Sequence, residues 1–112
     1  MAIIFNGSNQ YISTNPSGNT IFNLSTVTVM GWGYLSAKNG VQVIMTYNVS
    51  KNSNTIYGIY FNGLYPSTQI TTGTNNTITT LSSPTAISLN TWVHICMTYD
   101  GTTCIFMLMV FK

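Results

Sequence analysis

The chain has 112 residues, enough for one domain that buries roughly 65% of the surface exposed when unfolded. Hydrophobic residues make up 45% of it and charged residues 4%, which excludes the disordered class, where low hydrophobicity accompanies high charge. The formal net charge is +2, and its three lysines are scattered, which excludes the clustered basic face expected of a nucleic-acid-binding protein.

Neutral polar residues take the place of charges, since Thr, Asn and Ser account for 42 of the 112 residues. Weak charge gives little self-repulsion, so we expect the domain to belong to a larger assembly, preferably a virion surface or another extracellular-facing assembly. The N-terminal residues lack a basic region followed by a long apolar run, so we expect no secretory signal. No stretch approaches the roughly 20 apolar residues of a membrane helix, so we expect no membrane insertion.

The first half of the chain predicts short strands separated by turns rich in Asn, Gly and Pro. Gly31 and Gly33, on either side of Trp32, would let another chain segment approach closely. The predicted strands are Ala2–Phe5, Gln10–Ser13, Phe22–Leu35 and Val41–Tyr47, and the predicted loops are Asn15–Asn19 and Asn48–Asn54.

The second half continues the same pattern, with strands predicted at Thr55–Phe61, Tyr65–Thr72, Trp92–Tyr99 and Cys104–Phe111. Gly73–Ser83 is either an edge strand or a loop. No segment shows sustained helical periodicity. Many short strands with frequent turns predict an all-β fold, an antiparallel two-sheet β-sandwich formed by residues 1–112 as one domain.

Cys96 and Cys104 flank an Asp-Gly turn and form either a disulfide or two free thiols. A two-residue turn would pair Met97 with Cys104, and a four-residue loop would pair Cys96 with Met107. Both registers place the two cysteines on opposite faces of the hairpin, and only a three-residue loop would oppose them. We therefore favour free, buried thiols, consistent with a reducing compartment.

Three segments of the chain carry recognisable motifs. Phe5–Ile12 reads F-N-G-S-N-Q-Y-I, Phe22–Leu35 reads F-N-L-S-T-V-T-V-M-G-W-G-Y-L, and Asn90–Thr103 contains W-V-H-I-C-M-T-Y-D-G-T. Together they resemble the laminin-G-like, concanavalin A-like jelly-roll family, which has an opening F-x-G-x-x-x-Y-I strand pair, an F-T-I-x-x-W-V strand and a W-x-H-V-A-x-T-Y-D-G-T hairpin. Because the order and rough spacing of these segments also agree, the resemblance covers most of the chain. It implies a concanavalin A-like jelly roll and allows a lectin-like function.

The resemblance weakens after the D-G-T-T turn, where the family continues with several more strands and this sequence has only Cys104–Phe111 and a final lysine. We expect a shortened sandwich whose last strand is an exposed apolar edge, pairing with a protein partner or with a second copy. A central strand buried on both faces is the alternative. The candidate interface residues are Cys104, Ile105, Phe106, Met107, Leu108, Met109, Val110 and Phe111.

The ionisable residues argue against an enzyme. Glucanases with this fold use two carboxylates, whereas this chain has only Asp100, in a turn where Asp is favoured for its conformation. His94 and Asp100 flank a turn without a nucleophile elbow, so we interpret them as structural residues, not members of a catalytic triad. We expect no cofactor. A single Asp is too little charge for a tight calcium site, and a weak one through Asn side chains stays open.

The aromatic side chains provide the candidates for glycan contact, although such residues more often belong to a core or a half-buried sheet. Tyr60, Phe61 and Tyr65 surround the Asn62-Gly63 turn, and of the aromatic residues they are the best candidates to be exposed and to stack on sugar rings. The sequence therefore predicts a non-enzymatic structural or attachment module of a larger, capsid-associated assembly. The alternative is a lectin-like glycan-binding or adhesion module.

Overall fold

The computed structural model describes residues 12, 24–48, 55–72 and 77–111, and every regular element within these ranges is a β-strand. None of the described residues forms a helix long and apolar enough to cross a membrane. The strands are β1 Val27–Tyr34, β2 Val41–Asn48, β3 Thr55–Asn62, β4 Tyr65–Thr72, β5 Thr77–Ser82, β6 Trp92–Tyr99 and β7 Cys104–Phe111.

The described strands form two antiparallel sheets, which confirms the predicted β-sandwich. One sheet has the order β1-β6-β7 and the other the order β2-β3-β4-β5. The second sheet is a meander of successive hairpins. In the first sheet, by contrast, β1 pairs with a strand that follows it only after the whole second sheet. This long connection places the two sheets one on the other.

The core lies between the sheets and follows from the period-2 alternation of each strand. In the middle of β6, Val93, Ile95 and Met97 are completely buried. They pack in one cluster with residues of the other sheet, among them Ile59 and Phe61. Each such side chain contributes roughly 1.5–3 kcal/mol when it is removed from water.

The two glycines of β1 allow the close approach of the sheets that the sequence predicts. A Cβ added to Gly31 would lie 3.0 Å from Cγ2 of Ile44. A Cβ added to Gly33 would lie 2.5 Å from Cε2 of Phe61 and still closer to Cζ. Phe61 therefore occupies the space that a side chain at position 33 would fill.

Most predicted strands are observed with small changes at their ends. The exception is Phe22–Leu35, because β1 begins at Val27 and Leu24–Thr26 are not in a strand. The reason is the length of its neighbour: Val27 pairs with Tyr99, and the chain turns away at the next residue, so nothing in β6 remains to pair with earlier residues. In Gly73–Ser83 the edge-strand alternative is observed as β5.

The other predictions for the N-terminal part lie outside the described residues. These are the strands Ala2–Phe5 and Gln10–Ser13, apart from Ile12, and the loop Asn15–Asn19. The predicted loop Asn48–Asn54 also lies outside them, except for Asn48, which ends β2.

The β6–β7 hairpin has the four-residue loop that was one of the open alternatives. Tyr99 pairs with Cys104, and Cys96 pairs with Met107. The two cysteines therefore lie on opposite faces of the sheet and are free thiols, with Cys96 buried and Cys104 partly buried. Gly101 adopts φ +97° within the loop, a conformation that favours glycine.

Candidate functional site

The outer face of the three-stranded sheet is a continuous apolar surface, here called the Trp–Met face. It consists of the side chains that alternate with the core residues, and the pairing of the strands arranges them in rows. Eight large hydrophobic side chains on it are each 46–59% exposed. In strand order they are Met30, Trp32 and Tyr34 of β1, Trp92 of β6, and Ile105, Met107, Met109 and Phe111 of β7. His94 and Cys96 of β6 complete the middle of the face.

One end of the Trp–Met face is an aromatic cluster. The ring of Trp32 lies 4.8 Å from that of Phe111, 5.0 Å from that of His94 and 6.5 Å from that of Trp92. Tyr34 lies 5.3 Å from Trp92, and its hydroxyl donates a hydrogen bond of 3.3 Å to Oδ1 of Asn90. These tilted and edge-on contacts hold the rings in place while leaving them partly open to solvent.

The other end of the face is formed by thioether and aliphatic side chains. Cys96 lies between Met30 and Met107 in one row, and Ile105 pairs with Thr98 in the last row before the turn. No Lys, Arg, Asp or Glu is among the described residues of this face. Exposed apolar surface of this kind marks interaction sites in folded proteins.

The predicted interface strand is an edge strand of its sheet among the described strands, as the sequence indicates. It is not uniformly exposed. Cys104, Phe106 and Leu108 point inward and pack against the core, whereas the residues that alternate with them belong to the Trp–Met face. The inward direction of these three side chains means that they cannot contact a partner through the face. Whether β7 pairs with another chain stays a prediction.

The predicted glycan-contact residues separate onto two faces of the four-stranded sheet. Phe61 is only 2% exposed, so its predicted exposure is wrong. The reason is that Phe61 and Tyr60 are consecutive in a strand, and consecutive side chains point to opposite faces. Tyr60 pairs with Ser67 and Tyr65 with Asn62, which places both tyrosines on the outer face, where Tyr60 is half-buried and only Tyr65 is exposed as predicted. Their contact with a sugar stays a prediction.

Asp100, in the loop of the β6–β7 hairpin, is held by hydrogen bonds from the backbone of its own turn. The backbone N–H groups of Thr103 and Thr102 donate hydrogen bonds of 2.7 and 2.8 Å to Oδ1 of Asp100. These bonds hold the pKa of its carboxyl below the usual value. His94 lies six residues away along an extended strand, a separation of about 20 Å, so the two side chains do not form a catalytic pair.

The described residues contain no cluster of metal ligands, and burial makes the Cys104 thiol less reactive. No three His, Cys, Asp or Glu residues there lie close enough together to hold a metal ion. Burial raises the pKa of the Cys104 thiol, which favours the unreactive protonated form.

The alternation of large residues with glycines in β1 is a sequence signal for the Trp–Met face, although the residue types alone suggest the opposite orientation. Met30, Trp32 and Tyr34 share one parity of β1, and Gly31 and Gly33 share the other with Val29. Large aromatic residues usually point to a core, but here the glycines face it. The side with the smaller side chains is buried because the other sheet approaches it closely.

The comparison with protein families agrees with the fold. A family model described as the concanavalin A-like lectin/glucanases superfamily, of the laminin G type, matches residues 6–110. No curated protein and no solved structure matches the chain.

Proposed function

This chain belongs to the concanavalin A-like lectin/glucanase superfamily, and from that premise we propose that it is a non-enzymatic structural or attachment module of a larger assembly. The family suggests a β-sandwich that binds or adheres. The observation that carries the proposal is the Trp–Met face, on which eight large hydrophobic side chains are each 46–59% exposed, since a contiguous apolar surface of this kind marks interaction sites. A module that functioned alone in water would gain nothing from such a surface.

The absence of paired carboxylates supports the non-enzymatic part of the proposal. The whole chain contains one Asp and no Glu, so glycoside hydrolysis by two carboxylates cannot be carried out by its own side chains. Asp100 is engaged in its turn. A glucanase assay with the purified chain should therefore give no activity above that of the Asp100→Asn variant.

We place the assembly on the surface of a virus particle, in contact with its capsid. The support is the composition, in which Thr, Asn and Ser supply the polarity and charge is nearly absent. An antibody against the domain should label intact particles from the source of the sequence. Labelling confined to soluble cell fractions would contradict this setting.

Assembly itself is tested by measuring the mass of the purified chain between about 1 and 100 μM with light scattering after size exclusion. The proposal predicts a mass above that of the 12.3-kDa chain, increasing with concentration. A chain that is folded and monomeric over the whole range would overturn the assembly function.

A lectin-like glycan-binding module is the second candidate. It is favoured by Tyr60 and the exposed Tyr65, which share the outer face of the four-stranded sheet. A glycan array should give hits that Tyr60→Ala and Tyr65→Ala both weaken, while Thr80→Ala, on the neighbouring edge strand, leaves them unchanged. Hits that neither tyrosine variant affects would remove this candidate.

A further inference from the structure

We propose that the partner on the Trp–Met face is a second copy of this chain, packed face to face across a two-fold axis. This inference rests on the proposed assembly function and names its contact. It differs from pairing through the β7 edge, because the side chains of all three strands would be buried and the edge would stay free.

The first argument is area. With about 200 Å² for a large apolar or aromatic side chain, eight such residues exposed by roughly half present about 800 Å². A stable interface of standard size buries about 800 Å² on each partner. One copy therefore has the area that one such interface needs, and two sheets can pack about 10 Å apart through it.

The second argument is self-complementarity. The aromatic cluster of Trp32, Trp92 and Phe111 lies at one end of the face, and Met30 and Met107 lie toward the other. A two-fold axis that lies between the two faces, perpendicular to the strands, places the aromatic end of each copy on the methionine end of the other. Methionine sulfur and aromatic rings make favourable contacts at about 5 Å, and an isologous interface makes each contact twice.

The third argument is charge. A partner of opposite charge would require charged residues on this face, and the described residues of the face include none. Two identical copies therefore bring no like charges together through the described residues of the face. Composition of this kind, aromatic and methionine-rich with few charges, is typical of the buried centre of interfaces.

The two tryptophans of the chain, Trp32 and Trp92, both lie on this face, 52% and 53% exposed. The tryptophan fluorescence of the unmodified protein therefore reports directly on whether this face is covered. Tryptophan emission and acrylamide quenching are measured between about 0.1 and 100 μM, together with sedimentation velocity on the same samples. We expect the emission to shift to shorter wavelength and the quenching to fall over the concentration range in which the dimer forms.

Two variants separate the face from other surfaces. Met30→Lys places a charge on the Trp–Met face in β1, the strand farthest from β7, and Met45→Lys makes the same change in the other sheet, where Met45 is 44% exposed. We expect Met30→Lys to raise the dissociation constant at least about 30-fold, the size of a hot-spot effect, and Met45→Lys to leave it unchanged. Both positions are exposed, so both variants should fold.

Three results would overturn the inference. A dimer whose tryptophans stay open to acrylamide uses another contact, such as the β7 edge, and in that case the assembly function stands while the face-to-face contact fails. Tryptophans that are protected in a chain that sediments as a monomer mean that a segment of the same chain covers the face. A folded monomer with open tryptophans at every concentration removes both the inference and the assembly function.

Discussion

The contact between Gly33 and Phe61 determines how closely the two sheets approach, and Gly33→Ala tests it. The added Cβ would lie 2.5 Å from Cε2 of Phe61, whereas ordinary van der Waals contact begins near 3.4 Å. The ring or the sheet must therefore move by about 1 Å. Phe61 is fully packed in the core, so it has no free space to move into.

The expected cost follows from two opposing terms. Overpacking of a core destabilises by about 1–3 kcal/mol, and replacing Gly by Ala within a strand recovers roughly 0.5–1 kcal/mol. We therefore expect Gly33→Ala to lower the free energy of unfolding by about 1–2 kcal/mol. Urea denaturation at one fixed protein concentration measures it, as a lower midpoint with an unchanged slope.

Gly40→Ala is the matched control, because nothing lies within 4 Å of a Cβ added there. It should change stability by less than about 0.5 kcal/mol. Combining Gly33→Ala with Phe61→Leu should cost less than the sum of the two single changes, since the smaller side chain vacates the space. Equal effects of the two alanine variants, or strict additivity with Phe61→Leu, would refute the proposed contact.

Three further predictions concern stability and thiol chemistry. The hydrogen bonds to Asp100 lower its folded-state pKa, so they stabilise the fold at pH values above the unfolded pKa of about 3.9, and this stabilisation is lost as the pH falls through the folded pKa. When the free energy of unfolding is measured against pH, Asp100→Asn should therefore lose less stability in acid than the unmodified chain. An identical pH profile for the two proteins would contradict this. Thr68 is completely buried and its hydroxyl donates a 2.9 Å hydrogen bond to the carbonyl of Gly58, so Thr68→Val should destabilise by about 1–3 kcal/mol in urea denaturation, and an unchanged midpoint would contradict this. Cys96 and Cys104 lie on opposite faces of the hairpin, so thiol titration of the denatured protein after mild air oxidation should still find two free thiols in each monomeric chain, and an intramolecular disulfide would mean a different register.

The fold could be predicted from the sequence because alternation and turns are local signals. Trp92–Tyr99 and Cys104–Phe111 are observed with the predicted bounds. The start of β1 could not be predicted in the same way. It depends on where β6 ends, through the pairing of Val27 with Tyr99, and pairing between distant strands leaves no mark in either strand alone.

The candidate site could be predicted only in part, for a related reason. Alternation was sufficient to show that Tyr60 and Phe61 point to opposite sides of the sheet, but it did not show which of the two side chains points toward the core. That depends on Gly33 lying opposite Phe61, a contact between sheets. The same contact turns Trp32 outward, so the aromatic residue that a composition-based view assigns to the core belongs to the surface.

Self-association through the Trp–Met face is tested most directly by intermolecular contacts of the methionine methyl groups. One batch of the chain carries ¹³C-methyl methionine, a second batch is unlabelled, and isotope-filtered nuclear Overhauser spectra are recorded on the mixture. We expect intermolecular signals from Met30, Met107 and Met109 to aromatic protons, and none from Met45 or the buried Met97. Intermolecular signals from Met45 alone, or none from any methionine in a sample that sediments as a dimer, would contradict the face-to-face assembly.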